Sequence, residues 1–89
     1  MKKLQIFYRE DCPHCQKAFK FIEALKEEND LYRTIESQLV EETLEVDYAA
    51  MFDYFLVPTF YIDDSKVHEG VVSKEDVRKI RRSYHLRHK

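Results

Sequence analysis

Apolar and polar residues follow two different periods along the chain, and the period changes several times. A short β-favouring run at residues 4–8 predicts a buried strand. After Pro13, apolar residues recur at helical spacing, which predicts a first helix that begins at Pro13 and ends at residues 29–30. Residues 31–36 predict a weak second strand, and residues from about 38 to 52 predict a second helix.

The second half of the chain carries the strongest strand pattern. Residues 55–62 are rich in aromatic and β-branched side chains, and Pro58 should lie at the start of this strand because proline cannot donate within a ladder. A turn at 63–66 followed by a shorter strand at 67–72 predicts a hairpin. Ser73 is expected to cap a last helix that runs to about Tyr84, with an acidic residue three positions after the cap.

This order of elements, β-α-β-α-β-β-α, predicts an α/β fold. A β-α-β start requires a parallel pair of strands joined by a right-handed crossover, and the hairpin then adds antiparallel strands. We therefore expect one domain over residues 1–89, with a four-stranded mixed sheet and helices on both faces.

The amino-acid composition limits the kinds of partner that the protein is expected to bind. The chain of 89 residues is 44% hydrophobic, which favours a folded core over disorder. Its net charge of -2 does not indicate nucleic acid as the main partner. No apolar run approaches the roughly 20 residues of a membrane span, and the apolar start stops too early for a secretory signal. We expect a cytoplasmic monomer that binds neither nucleic acid nor membrane.

Both cysteines, Cys12 and Cys15, lie between the first predicted strand and the first predicted helix. They enclose too small a loop to stabilise a fold, and in a reducing compartment such a pair is more often chemical than structural. Cys12 falls at the helix N-terminus, where free N–H groups favour a thiolate. Cys15 lies one turn later on the same face and can attack a mixed disulfide at Cys12. Pro13 rigidifies this first turn.

Charged neighbours act on the pair in opposite directions. A protonated His14 would stabilise a thiolate, whereas Glu10 and Asp11 oppose it and Arg9 partly offsets them. The sequence leaves the sign of the net effect open, and it leaves His14 either a redox-tuning residue or a solvated turn residue.

A structural zinc site is the main alternative for a single Cys-x-x-Cys pair. Such a site needs two further ligands, and the four histidines offer no ligand pair at a finger-like spacing. The placement between strand and helix favours redox chemistry instead, so we expect no metal site.

Two motifs together resemble the glutaredoxin and thioredoxin family. Residues 6–15 look like the opening of glutaredoxins, in which a strand runs into a basic residue and then Cys-Pro-Tyr-Cys; here the letters are IFYREDCPHC. Residues 57–59, Val-Pro-Thr, are similar to the Val/Ile-Pro-Thr of the thioredoxin superfamily, in which the proline is cis and lies against the cysteine pair. The resemblance covers essentially the whole chain and implies a minimal, glutaredoxin-like thioredoxin fold.

The resemblance implies a dithiol–disulfide oxidoreductase that reduces protein or small-molecule disulfides. A cis Pro58 would leave the backbone of Val57 free to pair with a bound substrate chain. Gly70 is either a close approach to that chain or a tight corner before the last helix. The implied catalytic residues are Cys12, Pro13, His14 and Cys15, and the implied substrate contacts are Arg9, Val57, Pro58 and Gly70.

The chain also departs from its relatives. Leu56 stands where glutaredoxins have a Thr before Val-Pro, and Gly70 alone stands where they have Gly-Gly, so we expect glutathione to be a poor electron donor. Ile6 replaces the buried Asp of thioredoxins. The chemistry needs no cofactor, and electrons would come from glutathione or from a flavoprotein reductase such as thioredoxin reductase. Two rival functions remain: an iron–sulfur or metal carrier that uses Cys12, and a non-catalytic interaction module.

Overall fold

The structure is a computed structural model that describes residues 4–28 and 37–87, with side chains described as far as residue 84. The helices and strands follow the predicted β-α-β-α-β-β-α order. Their bounds are β1 (Leu4–Tyr8), α1 (Pro13–Glu28), β2 (Ser37–Glu41), α2 (Val46–Ala49), β3 (Thr59–Ile62), β4 (Ser65–Glu69) and α3 (Lys74–Arg87).

The four strands form one mixed sheet in the order β2-β1-β3-β4. β1 pairs in parallel with β2 and antiparallel with β3, and β3 pairs antiparallel with β4. A tight turn joins β3 to β4, and Asp63 in this turn has a φ of 56°. The mixed sheet and the predicted hairpin are therefore confirmed, and β1 lies in the interior of the sheet beside both β2 and β3.

Each face of the sheet has its own core, because alternate side chains of a strand point to opposite faces. One face packs against α1 and α3 through Leu4, Ile6, Ala18, Ile22, Leu25, Phe60, Ile62, Val72, Val77, Ile80 and Tyr84. The other face packs against α2 and the segment after it through Phe7, Tyr48, Ala49, Phe52, Tyr54 and Tyr61, with Val40 of β2. Helices thus cover both faces, as predicted.

The second helix predicted from the sequence pattern has the wrong bounds. Residues 37–41 form β2, although 38–52 were predicted to be helical, and α2 spans only Val46–Ala49. The strand predicted at 31–36 lies outside the described residues. β2 is an edge strand in which two apolar residues, exposed Leu39 and buried Val40, are adjacent, so its sequence lacks the polar–apolar alternation that marks a strand. Its pairing with β1 overrides the helix-favouring residues around it.

Both strands of the hairpin differ from their predicted bounds. β3 begins at Thr59 and not at residue 55, because the amides of Phe55 and Leu56 donate to the carboxylate of Glu69 and not to a strand. β4 spans 65–69, earlier than the predicted 67–72, since the connecting turn is shorter than expected.

The capped start of the last helix is confirmed. The Asp76 amide donates to the Ser73 hydroxyl and the Ser73 amide donates to the Asp76 carboxylate, both at 3.0 Å, which is a reciprocal capping box. α3 continues to Arg87, slightly beyond its predicted end. None of the helices within the described residues is long and apolar enough to cross a membrane.

Candidate functional site

The cysteine pair lies at the junction of β1 and α1. The Cys12 amide donates to the Arg9 carbonyl at 3.2 Å, which closes a turn directly after β1. The Cys12 carbonyl accepts the amides of Cys15 and Gln16, both at 3.1 Å. Cys12 is therefore the N-cap residue of α1, next to the first-turn amides and the positive end of the helix dipole, which favour negative charge at this position.

The two thiols differ in exposure. Cys12 is partly buried and Cys15 is fully buried, and both are free thiols. Burial raises the pKa of the Cys15 thiol to about 12; a backbone hydrogen bond from Arg9 opposes this shift, while the Cys12 side chain and the Glu42 charge add to it. Cys12 is thus the more accessible of the two thiols, and Cys15 is protonated at neutral pH.

We expect only one reactive thiol in the reduced, folded protein. Because burial holds the pKa of Cys15 far above neutrality, iodoacetamide at about pH 8 should modify Cys12 alone. Peptide mapping by mass spectrometry measures this, and the same reaction in guanidinium chloride should modify both cysteines. Equal labelling of the two thiols in the folded protein would show that Cys15 is accessible and ionised, against this assignment.

Pro58 brings a second segment against the cysteines. The Val57–Pro58 peptide bond is cis, as the resemblance implied, and Pro58 is buried. Antiparallel pairing of Phe7 with Thr59 places the end of β1 beside the start of β3. The Val57 carbonyl oxygen consequently lies 4.0 Å from the Cys12 sulfur. The structure therefore brings the Val57–Pro58 segment next to the segment that carries Cys12 and Cys15.

Gly70 is hydrogen-bonded to the segment that contains Pro58. Its φ is 91°, a conformation that side chains rarely adopt, and its amide donates to the Pro58 carbonyl at 2.9 Å. A Cβ atom at this position would lie 3.3 Å from Cδ1 of Leu56. Gly70 therefore forms the corner that leads towards α3, while its approach to a substrate chain stays a prediction.

Pro13 and His14 lie in the exposed first turn of α1, and Arg9 lies at the rim of the site. The Arg9 guanidinium is 3.4 Å from the Glu42 carboxylate and 4.0 Å from that of Asp11. Both carboxylates partly balance the charge of Arg9, and of the two only the contact with Glu42 was not foreseen from the sequence.

Glu42 belongs to a polar cluster that sequence reasoning missed. The Tyr54 hydroxyl donates to Glu42 at 2.7 Å, and burial together with this carboxylate raises the pKa of Tyr54. With Arg9, these side chains line an open cleft of about 450 Å³ beside the cysteine motif, together with Thr43, Val46, Ala49 and Ala50. A helix over residues 38–52, as the sequence pattern predicts, would not place Glu42 at the end of a strand beside Arg9, so the sequence pattern does not reveal this cluster.

Glu41 is a second missed residue, and it ties β2 to the loop before Cys12. Its carboxylate accepts the Glu10 amide at 3.0 Å and both the amide and hydroxyl of Thr43 at 2.6 Å. The hydrogen bonds from Thr43 and Glu10 lower the pKa of Glu41. An ionised Glu41 therefore holds the end of β2 against the cysteine-bearing loop.

The described part of the chain, residues 4–28 and 37–87, has no group of three or more His, Cys, Asp or Glu residues placed to hold a metal ion.

Among known proteins, the sequence model of a family described as "Thioredoxin domain" matches residues 2–82. This match includes the cysteine pair, Pro58 and Gly70. A search of curated proteins finds no significant match to the chain.

Proposed function

The chain belongs to the thioredoxin-domain family, and from this premise we propose that it is a dithiol–disulfide oxidoreductase that reduces disulfides through Cys12 and Cys15. The proposal rests on the difference in exposure between the two thiols. Cys12 is partly accessible at the N-cap of a long helix, whereas Cys15 is fully buried with its pKa raised to about 12 by that burial. Two inert structural thiols would not need one accessible member at a helix N-terminus.

The reaction proceeds by two thiol–disulfide exchanges. The Cys12 thiolate attacks one sulfur of the substrate disulfide, an S–S bond forms to Cys12, and the other substrate sulfur leaves as a thiolate that takes up a proton. Cys15 then loses its proton and attacks the Cys12 sulfur, which forms the Cys12–Cys15 disulfide and releases the second substrate thiol. Two electrons thereby pass from the cysteine pair to the substrate.

Disulfide-containing proteins are the substrates that the surface around Cys12 favours. The backbone of Val57 lies beside the Cys12 sulfur, where an extended substrate chain can pair with it as an added strand. Exposed apolar side chains flank this position: Phe55 and Leu56 on the segment before Pro58, and Val71 after Gly70. Apolar contacts with a peptide would accompany the backbone pairing.

Each turnover leaves an oxidised pair that an electron donor must reduce. Glutathione and a flavoprotein reductase are the two proposed donors, and we propose glutathione as the poorer one. Leu56 in place of threonine removes a hydroxyl from the segment before Pro58, and this leucine packs towards Gly70. A tuning role for His14, the cytoplasmic location and the monomeric state belong to the same proposal.

Capture of the mixed disulfide tests the function. Wild-type protein should reduce insulin with dithiothreitol as donor. Reduced Cys15→Ser, freed of dithiothreitol and then mixed with insulin, should accumulate a covalent adduct with an insulin chain because nothing resolves the bond at Cys12. Intact mass spectrometry detects the adduct, and excess dithiothreitol should release it. Absence of both insulin reduction and adduct formation would refute the proposed activity.

A further inference from the structure

A bulge interrupts β4 opposite the centre of β3. Phe60 is paired with His68 and Tyr61 with Lys66, so Val67 is the extra residue of β4. In a regular strand, residues three positions apart point to opposite faces. The extra residue brings Lys66 and Glu69 to the same side, where the ammonium of Lys66 lies 2.7 Å from one carboxylate oxygen of Glu69.

The other carboxylate oxygen of Glu69 holds the segment before Pro58. It accepts the amides of both Phe55 and Leu56, the latter at 2.9 Å. The side chains of Phe55 and Leu56 are 89% and 61% exposed, so packing of these side chains contributes little to holding the segment. Within this stretch, the Glu69 carboxylate is the side chain that anchors the two amides directly before Val57.

We propose that Lys66 and Glu69, here called the β4 clamp, hold residues 55–57 so that the Val57 carbonyl lies beside Cys12 before a substrate chain binds. The inference rests on the proposed function, since it concerns how that site selects extended disulfide substrates. Among the described residues, the hydrogen bonds of the clamp join Lys66 to Glu69 and Glu69 to the amides of Phe55 and Leu56, so the role is one of positioning. Because the segment is already ordered, less conformational entropy is lost when a substrate chain binds to it.

The charges within the clamp reinforce each other. The hydrogen bond from Lys66, followed by those from the amides of Phe55 and Leu56, lowers the pKa of Glu69 to about 2. The same carboxylate raises the pKa of Lys66. Both clamp residues are therefore ionised at neutral pH, and the hydrogen bonds to the two amides are charge-assisted.

Glu69→Ala tests the clamp with two substrates of different size. We expect kcat/KM for insulin to fall about tenfold, mainly through KM, because the substrate chain must then order the 55–57 segment. Reduction of hydroxyethyl disulfide and alkylation of Cys12 should change by less than about twofold, since neither needs an added strand. Glu69→Gln should recover most of the loss, because its amide oxygen can accept both backbone amides.

Glu23→Ala is the matched control, since Glu23 forms a Lys–Glu pair at the same three-residue spacing with Lys26 on α1. It should leave both substrates unaffected. The clamp would be overturned if Glu69→Ala lowered insulin reduction, hydroxyethyl disulfide reduction and Cys12 alkylation by the same factor. It would also be overturned if Glu69→Ala reduced insulin as fast as wild-type protein does. These results differ from failure of the proposed function, in which wild-type protein reduces neither substrate.

Hydrogen exchange tests the role of the clamp without requiring any disulfide reduction. The amides of Phe55 and Leu56 should exchange faster in Glu69→Ala than in wild-type protein, while Glu23→Ala should leave their exchange unchanged. Unchanged exchange at both amides in Glu69→Ala would overturn the inference whatever the activity of the protein.

Discussion

Replacing Cys12 by serine is expected to reduce insulin turnover to the uncatalysed background. A serine hydroxyl at the N-cap of α1 does not ionise at neutral pH, so the attacking thiolate is lost. Cys15 cannot take over the attack, because it is fully buried and its pKa is raised to about 12 by that burial. Insulin reduction with dithiothreitol as donor measures this loss, relative to wild-type protein.

The two serine variants are each other's controls. Cys12→Ser should give no turnover, and in the absence of dithiothreitol it should form no adduct with insulin, whereas reduced Cys15→Ser should form the adduct under that condition. Both should keep the wild-type fold by circular dichroism. Substantial turnover in Cys12→Ser would show that Cys15 reaches substrate directly, and the order of the two exchanges would have to be reversed.

The residues of the cysteine site were predictable because their signals are local. Cys12 and Cys15 lie between a clear strand and a clear helix, and Val57-Pro58-Thr59 is a contiguous motif that opens a strong strand pattern. The structure brings these separate motifs together by pairing β1 with β3. The order of elements alone does not determine that pairing, and the proximity of the two motifs was expected only from the resemblance to the thioredoxin superfamily.

The supporting carboxylates could not be predicted, because each depends on a non-local arrangement. Glu69 lies on the same side as Lys66 because of a bulge in β4, and no turn residue or proline marks the bulge in the sequence. Its bonds to the amides of Phe55 and Leu56 join segments that are 14 and 13 residues apart. Glu41 and Glu42 gain their roles when residues 37–41 pair with β1. Local propensity favoured a helix there, so the competing tertiary contact was invisible to pattern analysis.

Phe7→Ala is expected to lower the free energy of unfolding by about 3–5 kcal/mol. Phe7 is fully buried on an interior strand, and its ring contacts four other aromatic rings at centroid distances of 4.7–6.3 Å: Tyr48, Phe52, Tyr54 and Tyr61. Truncation leaves a cavity that the fixed sheet cannot close. Urea unfolding of the reduced protein, followed by circular dichroism, measures the change.

Phe55→Ala is the matched control, because the same atoms are removed from a side chain that is 89% exposed. It should change the free energy of unfolding by no more than about 0.5 kcal/mol. If Phe7→Ala is too unstable to fold, Phe7→Leu should still show a loss of about 1–2 kcal/mol. A loss in Phe7→Ala no larger than that in Phe55→Ala would show that the aromatic cluster is not a core.

The effect of Phe7→Ala should extend to the cysteine site. Tyr54 packs on the Phe7 ring and donates to Glu42, which in turn pairs with Arg9 just before the cysteine motif. Loss of the ring frees Tyr54 to move, so the polar cluster beside Cys12 loses its support. At urea concentrations where the variant remains folded, its Cys15 thiol should therefore become more accessible to alkylation than in wild-type protein. Unchanged protection of Cys15 would confine the role of Phe7 to stability.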